Sequence, residues 1–453
     1  MPVSDAPIEA GAVRVVGERI AAVGPRRRAP GDGGLWAEPG EPIVDLGDAA
    51  LLPGLVDAHA HLEWAALRTL LDGQPLEAWP RVFPRIRAAW TSPEDYMVSA
   101  RLGALEAIEA GITTVADSGP TGAGLEAMRE VGLGGRVYAE VIGPDPEAWE
   151  TLADAVERQV ERLEAAAGTT GGRLGVGLAP HALHTVSTPL LRWCRRFADA
   201  RGLALSVHLA ESAAEVRFLE AGDGPWADLY ARAGVRAVSP RRSPAAAAAE
   251  VGLLARGTIL AHCVRLDAAD IARVGASGAA VACCPQSNAA LGVGDAPAAE
   301  LLAAGVTVGL GTDSGASVGA KDLFAEARAL RGLLGRAARG PVVGARPLLE
   351  AMTRQAARAL GLESEIGSIE VGKRADLVAV ALDRPHLRGA ADVEAALVGS
   401  AGRGDVTWVM TAGEVRVERG VARIPGRQAL LEAADRLAER TRAALPDTRR
   451  RRS

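Results

Sequence analysis

Eight short apolar segments recur between residues 51 and 311, and helical patterns separate most of them. The segments are 51–58, 112–117, 136–142, 173–179, 203–209, 257–261, 279–284 and 306–311. Most are continuous apolar runs, which is typical of parallel strands that helices cover. Eight strands that alternate with helices predict an α/β fold built on a (β/α)8 TIM barrel.

The two ends of the chain carry shorter β patterns that cannot bury a core alone. In residues 1–50, Gly17-Glu18 predicts a hairpin turn, 42–45 a further short strand and 31–34 a loop. Near the other end, strands are predicted at 375–380, 406–410 and 414–417. We therefore predict a small β-sandwich domain formed from both chain ends, 1–50 and 366–425, around a barrel of residues 51–365.

The last segment, residues 426–453, predicts a closing helix and a basic tail. Ala, Leu, Glu and Arg dominate 427–444, as in helices, whereas Arg449–Arg452 has no apolar partner. We interpret this tail as a frayed terminus rather than a nucleic-acid contact.

The composition of the chain limits what it is expected to bind. The 453-residue chain has a net charge of -5, which gives no sign of nucleic-acid binding. No apolar run reaches the ~20 residues of a membrane span, and the N-terminus does not resemble a leader. The four cysteines lack disulfide or zinc-finger spacing. We expect a cytoplasmic protein with a small-molecule substrate, no nucleic acid and no membrane; a homodimer is left open.

Histidines mark the ends of the predicted strands. Six of the seven lie there, and Asp313 follows the eighth segment; the six are His59, His61, His181, His184, His208 and His262. Reactive groups of (β/α)8 barrels gather at the C-terminal ends of strands. One such histidine alone is more often an ordinary polar residue, but six at once point to a site.

Four of these side chains suit one divalent ion per subunit: His59, His61, His208 and Asp313. Imidazole and carboxylate ligands favour Zn²⁺, with Fe²⁺ as the alternative. Glu211, three residues after His208, is a candidate acid/base, or a carboxylate favoured by a helix N-terminus. His262 is either a fifth ligand or a donor that orients the water.

Several motifs resemble those of the amidohydrolase superfamily, mononuclear deaminase/chlorohydrolase (ATZ/TRZ-like) branch: His59-Ala-His61, His208 with Glu211, Ala261-His-Cys263 and Gly311-Thr-Asp-Ser314. The likeness covers nearly the whole chain. It implies that His59, His61, His208 and Asp313 bind the metal, that Glu211 shuttles the proton, that His262 contacts the water, and that Asp313 doubles as a base. Related binuclear sites use a carbamylated lysine after strand 4, which is excluded because no lysine precedes Lys321.

Within this branch, Ala179–Ser187 is similar to a substrate motif in which His181 hydrogen-bonds the substrate, with His184 where relatives usually have tyrosine. The segment Pro75-Leu-Glu-Ala-Trp79 resembles a Pro-Leu-x-Glu-Trp motif of S-adenosylhomocysteine deaminases, but Ala78 takes the place of the glutamate and Glu77 lies one residue early. Trp79 is a candidate substrate contact. Residues 62–92 are expected to line the pocket or to form a dimer contact.

A closer likeness is to aminodeoxyfutalosine deaminases, through His59–Glu63, Cys284–Gly294 and Asp313–Ser317. It adds Glu63, Asn288 and Ser314 as candidate pocket residues; hydrogen bonds within loops are the alternative for Glu63 and Asn288. Relatives often have arginine at the position of Gln286, which cannot pair with a substrate carboxylate as an ion pair.

The resemblance implies a hydrolase that replaces an amino group on a purine-like or other aza-aromatic ring with oxygen and releases ammonia. Two alternatives are left open. One is a chlorohydrolase or amide-type C–N hydrolase of the same branch, acting on pterin, triazine or S-adenosylhomocysteine-like substrates. The other is a non-catalytic barrel that acts as a binding module.

Overall fold

A computed structural model describes residues 1–26, 35, 37, 40–70, 73–337 and 343–445. The predicted loop at 31–34 and the predicted basic tail at 449–452 lie outside these ranges. Among the described residues, no helix has both the length and the apolar character needed to cross a membrane.

The larger sheet is a parallel barrel whose strands match the eight predicted segments. Its strands are β4 (Leu55–His61), β5 (Ile112–Gly119), β6 (Gly134–Val141), β7 (Leu174–Pro180), β8 (Ala204–Leu209), β9 (Thr258–His262), β10 (Ala280–Cys283), β11 (Thr307–Leu310) and β12 (Asp313–Ser314). The eighth barrel strand is split: β11 pairs with β10, whereas β12 pairs with β4. The sheet therefore closes on itself, and the C-terminal ends of all strands meet at one mouth.

Helices surround the barrel; most lie outside it, whereas the last of them contributes Ala356 and Ala357 to the cluster inside it. They are α1 (Trp79–Ala89), α2 (Pro93–Glu109), α3 (Ala123–Val131), α4 (Trp149–Ala167), α5 (Thr188–Arg201), α6 (Ala213–Ala221), α7 (Pro225–Ala233), α8 (Pro244–Glu250), α9 (Ala268–Ser277), α10 (Pro285–Ala290), α11 (Ala298–Ala303), α12 (Gly315–Val318), α13 (Leu323–Ala337), α14 (Ala345–Ala351) and α15 (Arg354–Ala359). Side chains on β6 show the two-sided burial: Val137, Ala139 and Val141 join the core under the helices, whereas Tyr138 joins the cluster inside the barrel.

The predicted strand 51–58 is two strands that belong to different sheets. Residues of β3 (Ala49–Pro53) pair with β13 (Leu377–Ala381) of the small sheet, and only β4 enters the barrel. The chain passes between them at Gly54, where a Cβ atom would lie 2.0 Å from Thr113 Oγ1. A residue without a side chain is therefore required at this crossing.

The small domain joins both chain ends, as predicted. A hairpin of β1 (Gly11–Val16) and β2 (Arg19–Pro25) packs on a sheet of order β16-β15-β14-β13-β3, where β14 is Val406–Thr411, β15 Glu414–Glu418 and β16 Val421–Ala422. The predicted strand at 42–45 is wrong, because this segment is irregular. A helix, α16 (Val393–Ser400), was not predicted, whereas the last helix, α17 (Arg427–Ala444), coincides with the predicted one.

The segment between β4 and α2 folds over part of the barrel mouth. Leu76 packs against Val264, which follows β9, and against Leu291 and Val293, which follow β10. All four cysteines are buried and unpaired, including the predicted buried pair Cys283 and Cys284.

Candidate metal centre and active site

Four predicted ligands converge at the mouth of the barrel: His59, His61, His208 and Asp313. One ligand atom from each lies within 4.8 Å of the ligand atoms of the other three, and all four side chains are buried. They are carried by β4, β8 and β12. Strand ends distant in sequence are adjacent here because the barrel closes between β4 and β12.

Backbone carbonyls fix the orientation of two of the imidazole rings. His61 Nδ1 donates to the carbonyl oxygen of Ser118 at 2.8 Å, and His208 Nδ1 donates to that of His181 at 2.8 Å. A neutral ring that donates through Nδ1 presents a lone pair at Nε2. The two Nε2 atoms face each other at 3.3 Å, so a cation between them is the partner that both lone pairs require.

His59 and Asp313 complete the arrangement. Asp313 Oδ1 lies 3.5 Å from His59 Nε2 and 3.4 Å from His61 Nε2. Both ring nitrogens of His59 are buried and have no hydrogen-bond partner among the described residues. Ligands about 2.1 Å from a tetrahedral ion are separated by roughly 3.4 Å. The donors therefore fit a divalent ion of this kind.

Burial sets the charge of the ligands. It lowers the pKa of His59 to about 4, and it lowers the pKa of His61 and His208 as well. Burial opposes ionisation of Asp313, but the nearby histidines, above all His59, outweigh it and hold the Asp313 pKa well below its usual range. At neutral pH the site offers neutral imidazoles and one carboxylate, which is the state that binds a metal ion.

Two serines hold the second oxygen of the Asp313 carboxylate. Ser287 Oγ donates to Oδ2 at 2.5 Å and Ser317 Oγ donates to it at 3.2 Å. The backbone of Asp313 is left-handed, with φ of 55°. Such a conformation is costly for a residue with a side chain, so the carboxylate is held in place by its surroundings.

Glu211 lies at the same mouth and has the pKa of an acid/base at neutral pH. Burial raises its pKa to about 7, and the negative charges of Asp313 and Glu77 add to this. Its backbone is fixed by Glu215, whose carboxylate accepts the N–H groups of Ala210 at 2.9 Å and Glu211 at 2.7 Å. Sequence analysis missed Glu215, although Ser212-Ala-Ala-Glu215 is a recognisable helix-start pattern.

His262 faces Glu211 and is oriented by Asn288. Its Nδ1 donates to Asn288 Oδ1 at 2.9 Å, so Nε2 carries a lone pair and lies 3.7 Å from Glu211 Oε1. His262 is not part of the four-ligand group, which fits a role towards water rather than a fifth ligand. Asn288, predicted as a pocket residue or a loop contact, has its side chain hydrogen-bonded to His262.

The two histidines after β7 differ in surroundings. His181 stacks near His208, with ring centroids 4.6 Å apart, and its Nδ1 bonds Thr185 Oγ1 at 2.8 Å. It therefore borders the metal group, and its contact with the substrate stays a prediction. His184 packs against Trp226, with centroids 4.3 Å apart.

Glu63 and Ser314 have hydrogen-bond partners within the protein, and their contact with the substrate stays a prediction. Glu63 is fully buried and accepts hydrogen bonds from the backbone N–H groups of Thr121, Gly122 and Ala123 and from the Thr121 hydroxyl. This is the loop alternative, and it caps α3. The Ser314 hydroxyl accepts the N–H of Ala316 at 3.1 Å and caps α12.

The Trp79 indole stacks on Phe83, with ring centroids 5.0 Å apart, and its buried Nε1 has no hydrogen-bond partner in the described part of the chain. A substrate contact by Trp79 stays a prediction.

Gln286 donates its side-chain amide to Glu326 at 2.9 Å and its backbone N–H to the same carboxylate at 3.0 Å. Gln286 therefore satisfies a buried carboxylate, whose pKa burial raises to about 8.

Glu140 is a candidate substrate contact that sequence analysis missed. It is the last residue but one of β6 and points to the same side as Tyr138, which lies inside the barrel. Among the described residues it has no hydrogen-bond or ion-pair partner, and burial raises its pKa to about 7. The signal was present: one carboxylate near the C-terminal end of an otherwise apolar run.

The chain is similar to known proteins over most of its length. The model of a family described as the amidohydrolase family matches residues 50–416. A 5-methylthioadenosine/S-adenosylhomocysteine deaminase of Moorella thermoacetica is 35% identical over 425 residues, 93% of this chain and 92% of the relative. The protein of that name from Halobacterium salinarum is 36% identical over 384 residues, 83% of each chain.

Solved structures agree on the fold. An adenosine deaminase from Xanthomonas campestris with bound zinc has a TM-score of 0.83 and 30% identity, and the match covers 98% of this chain and 97% of that one. The zinc complex of atrazine chlorohydrolase from Arthrobacter aurescens has a TM-score of 0.77 and 24% identity, with 94% of each chain covered. The second likeness bears on the fold alone.

Proposed function

Because this chain belongs to the amidohydrolase family, we propose that it is a metal-dependent deaminase, which hydrolyses the amino group from an adenosine-type ring and releases ammonia. One observation carries the proposal: three histidines and one aspartate fit a divalent ion, and a buried carboxylate with a pKa of about 7 lies at the same mouth. General acid/base catalysis works best when the pKa is near the operating pH.

The ligand set is His59, His61, His208 and Asp313, and Zn²⁺ is the ion that we propose, with Fe²⁺ as the alternative. Zinc is present in the Xanthomonas campestris adenosine deaminase structure. The bound ion would lower the pKa of a water at this site. The remaining catalytic work falls to Glu211, His262 and Asp313.

Glu211 carries protons between the water and the substrate. In the proposed step, Glu211 takes one proton from the water as the water oxygen bonds to the ring carbon that bears the amine, and Glu211 then gives this proton to the adjacent ring nitrogen. The other proton of the water reaches the amine, which leaves as ammonia while the carbonyl forms. His262 accepts a hydrogen bond from the water through Nε2, and Asp313 serves as a base.

The non-reacting part of the substrate is proposed from the relatives. Curated relatives are named for 5-methylthioadenosine and S-adenosylhomocysteine, so a nucleoside with a 5′ substituent is the first candidate. Ala78 replaces the glutamate of the S-adenosylhomocysteine deaminase motif, but Glu77 is close enough for its charge to raise the Glu211 pKa. Aminodeoxyfutalosine, an adenosine-type compound, stays a prediction, with His181 and Trp79 as proposed contacts.

An ammonia-release assay with the zinc-loaded enzyme tests the proposal. We expect release of one ammonia per turnover from adenosine-type substrates, and a panel of adenosine, 5-methylthioadenosine, S-adenosylhomocysteine and aminodeoxyfutalosine ranks them. Pterin, chlorotriazine and amide substrates are run in parallel. Chloride or carboxylate products without ammonia would favour the alternative hydrolases, whereas metal-loaded protein that turns over no member of the panel would contradict the proposal.

Glu140 gives a separate prediction about substrate affinity. Glu140→Gln is expected to raise KM about tenfold and change kcat little, since a hydrogen bond to a charged group contributes about 1.5–3 kcal/mol. The pKa of about 7 means that the carboxylate ionises as pH rises from 6 to 8. Wild-type KM should therefore fall more steeply over this range than KM of the variant, in which Glu211 still titrates.

The matched control is Glu150→Gln, which changes an exposed glutamate at the start of α4. It should leave KM unchanged at every pH. Equal KM values for Glu140→Gln and the wild type would show that this carboxylate does not contact the substrate.

A further inference from the structure

The barrel closes through a very short ladder, which we call the seam. At the seam, β12 pairs with β4 through only two residue pairs, Asp313 with Ala60 and Ser314 with His61. Metal ligands lie on both sides: His59 and His61 on β4, and Asp313 on β12. Any slip between the two strands would therefore change the distances between ligand atoms.

A buried carboxylate, Asp57, bridges the two strands just below the ligands. It accepts the backbone N–H of Thr312 at 2.9 Å and the Thr312 hydroxyl at 2.5 Å. On its own strand it accepts the N–H of His59 at 3.4 Å. Asp57 is fully buried, so its charge needs a nearby cation.

Lys321 supplies that cation. Its ammonium lies 3.8 Å from Asp57 Oδ2, and it donates to Thr312 Oγ1 at 2.9 Å and to the carbonyl oxygen of Asp313 at 3.3 Å. The side chain is only 3% exposed. Its bond to the Asp313 carbonyl holds the peptide that follows the left-handed Asp313.

A lysine at position 321 is unusual for this chain, in which nearly all basic residues are arginine. Of 51 basic residues, only Lys321 and Lys373 are lysines. An ammonium presents three donors in a tetrahedral arrangement, whereas a guanidinium is a larger planar fork. Two acceptors and the Asp57 carboxylate surround one small buried point, which suits a compact ammonium and explains a lysine where arginine is otherwise the rule.

We propose that Lys321 is a positioning residue for the metal centre: it holds β4 and β12 in register at the seam and so sets the separation between the histidine ligands and Asp313. Lys321 itself contacts Asp57, Thr312 and Asp313 and binds no ion. The proposal rests on the metal-binding part of the proposed function and is independent of the substrate.

Lys321→Met tests this, because methionine fills a similar volume without the charge or the donors. Metal affinity is measured by competition with a chelator, and ligand geometry by the visible spectrum of the Co²⁺-substituted protein, both without substrate. We expect affinity to fall about 10–100-fold, the range found for groups that orient ligands, and the Co²⁺ bands to shift. Neither readout depends on deaminase activity, so failure of the deaminase proposal would leave both measurable.

The other lysine provides the matched control. Lys373 Nζ donates to the Glu363 carbonyl and to Ser368 Oγ, both at 2.6 Å, in a segment that contacts the β1–β2 hairpin. Lys373→Met should leave metal affinity within about twofold of the wild type, because neither partner of Lys373 belongs to the seam.

A second variant guards against loss of folding. Thr312→Val keeps the shape and Lys321 but removes the hydroxyl between Asp57 and the ammonium; a smaller loss of affinity in the same direction is expected. The proposal would be overturned if Thr312→Val, or Lys321→Met in its folded state, bound the metal as tightly as the wild type and gave the same Co²⁺ spectrum. A lower melting temperature of the metal-free protein with unchanged affinity would also overturn it, since the lysine would then serve stability alone.

Discussion

Glu211→Gln is expected to abolish turnover, with kcat at least about 10³-fold below the wild type, while the protein still binds one metal ion. Glutamine keeps the size of the side chain but neither gives nor takes a proton at neutral pH. A positioned acid/base contributes about 10²–10⁴-fold, and Glu211 serves twice in the proposed reaction. Steady-state ammonia release and metal analysis of the same preparation measure the two effects.

The control for this variant lies on the helix that follows. Glu220→Gln changes an exposed carboxylate of α6 to the same amide and should leave kcat unchanged. If Glu211→Gln retained wild-type kcat with metal bound, Glu211 would not be the proton carrier, and His262 or Asp313 would have to take that role. Loss of both metal and activity would instead assign Glu211 to metal binding.

The fold was predictable because its signal is local. Each barrel strand is a short apolar run that helices cover, so the eight segments could be identified without knowing their neighbours. The one divided segment, 51–58, shows the limit. Pro53 and Gly54 marked a break in the sequence, but only the pairing of β3 with β13 and of β4 with β5 shows that the break separates two sheets.

The metal group was predictable for a related reason. A barrel brings all strand ends to one mouth, so residue type and strand position were sufficient to bring His59, His61, His208 and Asp313 together. The same reasoning could not tell which polar side chains face the mouth. Glu63 follows β4 just as a pocket residue would, yet its carboxylate caps α3, because the loop at 121–123 offers backbone N–H groups.

Contacts between residues far apart in the sequence are the ones that sequence spacing does not reveal. Gln286 and Glu326 are 40 residues apart, and Asp57 and Thr312 are 255 apart. No periodicity links such pairs. Lys321 illustrates the consequence: its position in the sequence excluded a carbamylated ligand, whereas its contact with the seam became visible only in three dimensions.

His208→Ala is expected to remove the metal and, with it, the activity. Removing one imidazole leaves three ligands and a gap opposite His61, so metal content after dialysis should fall from about one ion per chain to below about 0.1. Turnover should fall at least about 10³-fold. Because an ion that binds only the folded state stabilises it, by about 4 kcal/mol when free metal is 1,000 times Kd, a chelator should lower the melting temperature of the wild type but not that of the variant.

The matched control is His386→Ala, which removes a histidine outside the barrel that pairs with Asp405 at 3.0 Å. Metal content, turnover and the response to chelator should all equal those of the wild type. A His208→Ala protein that keeps one tightly bound ion would contradict the ligand set. His59, His61 and Asp313 would then be sufficient to bind the metal, and His208 would instead contact the substrate. Full turnover by the metal-free variant would go further and exclude a metal-dependent reaction at this mouth.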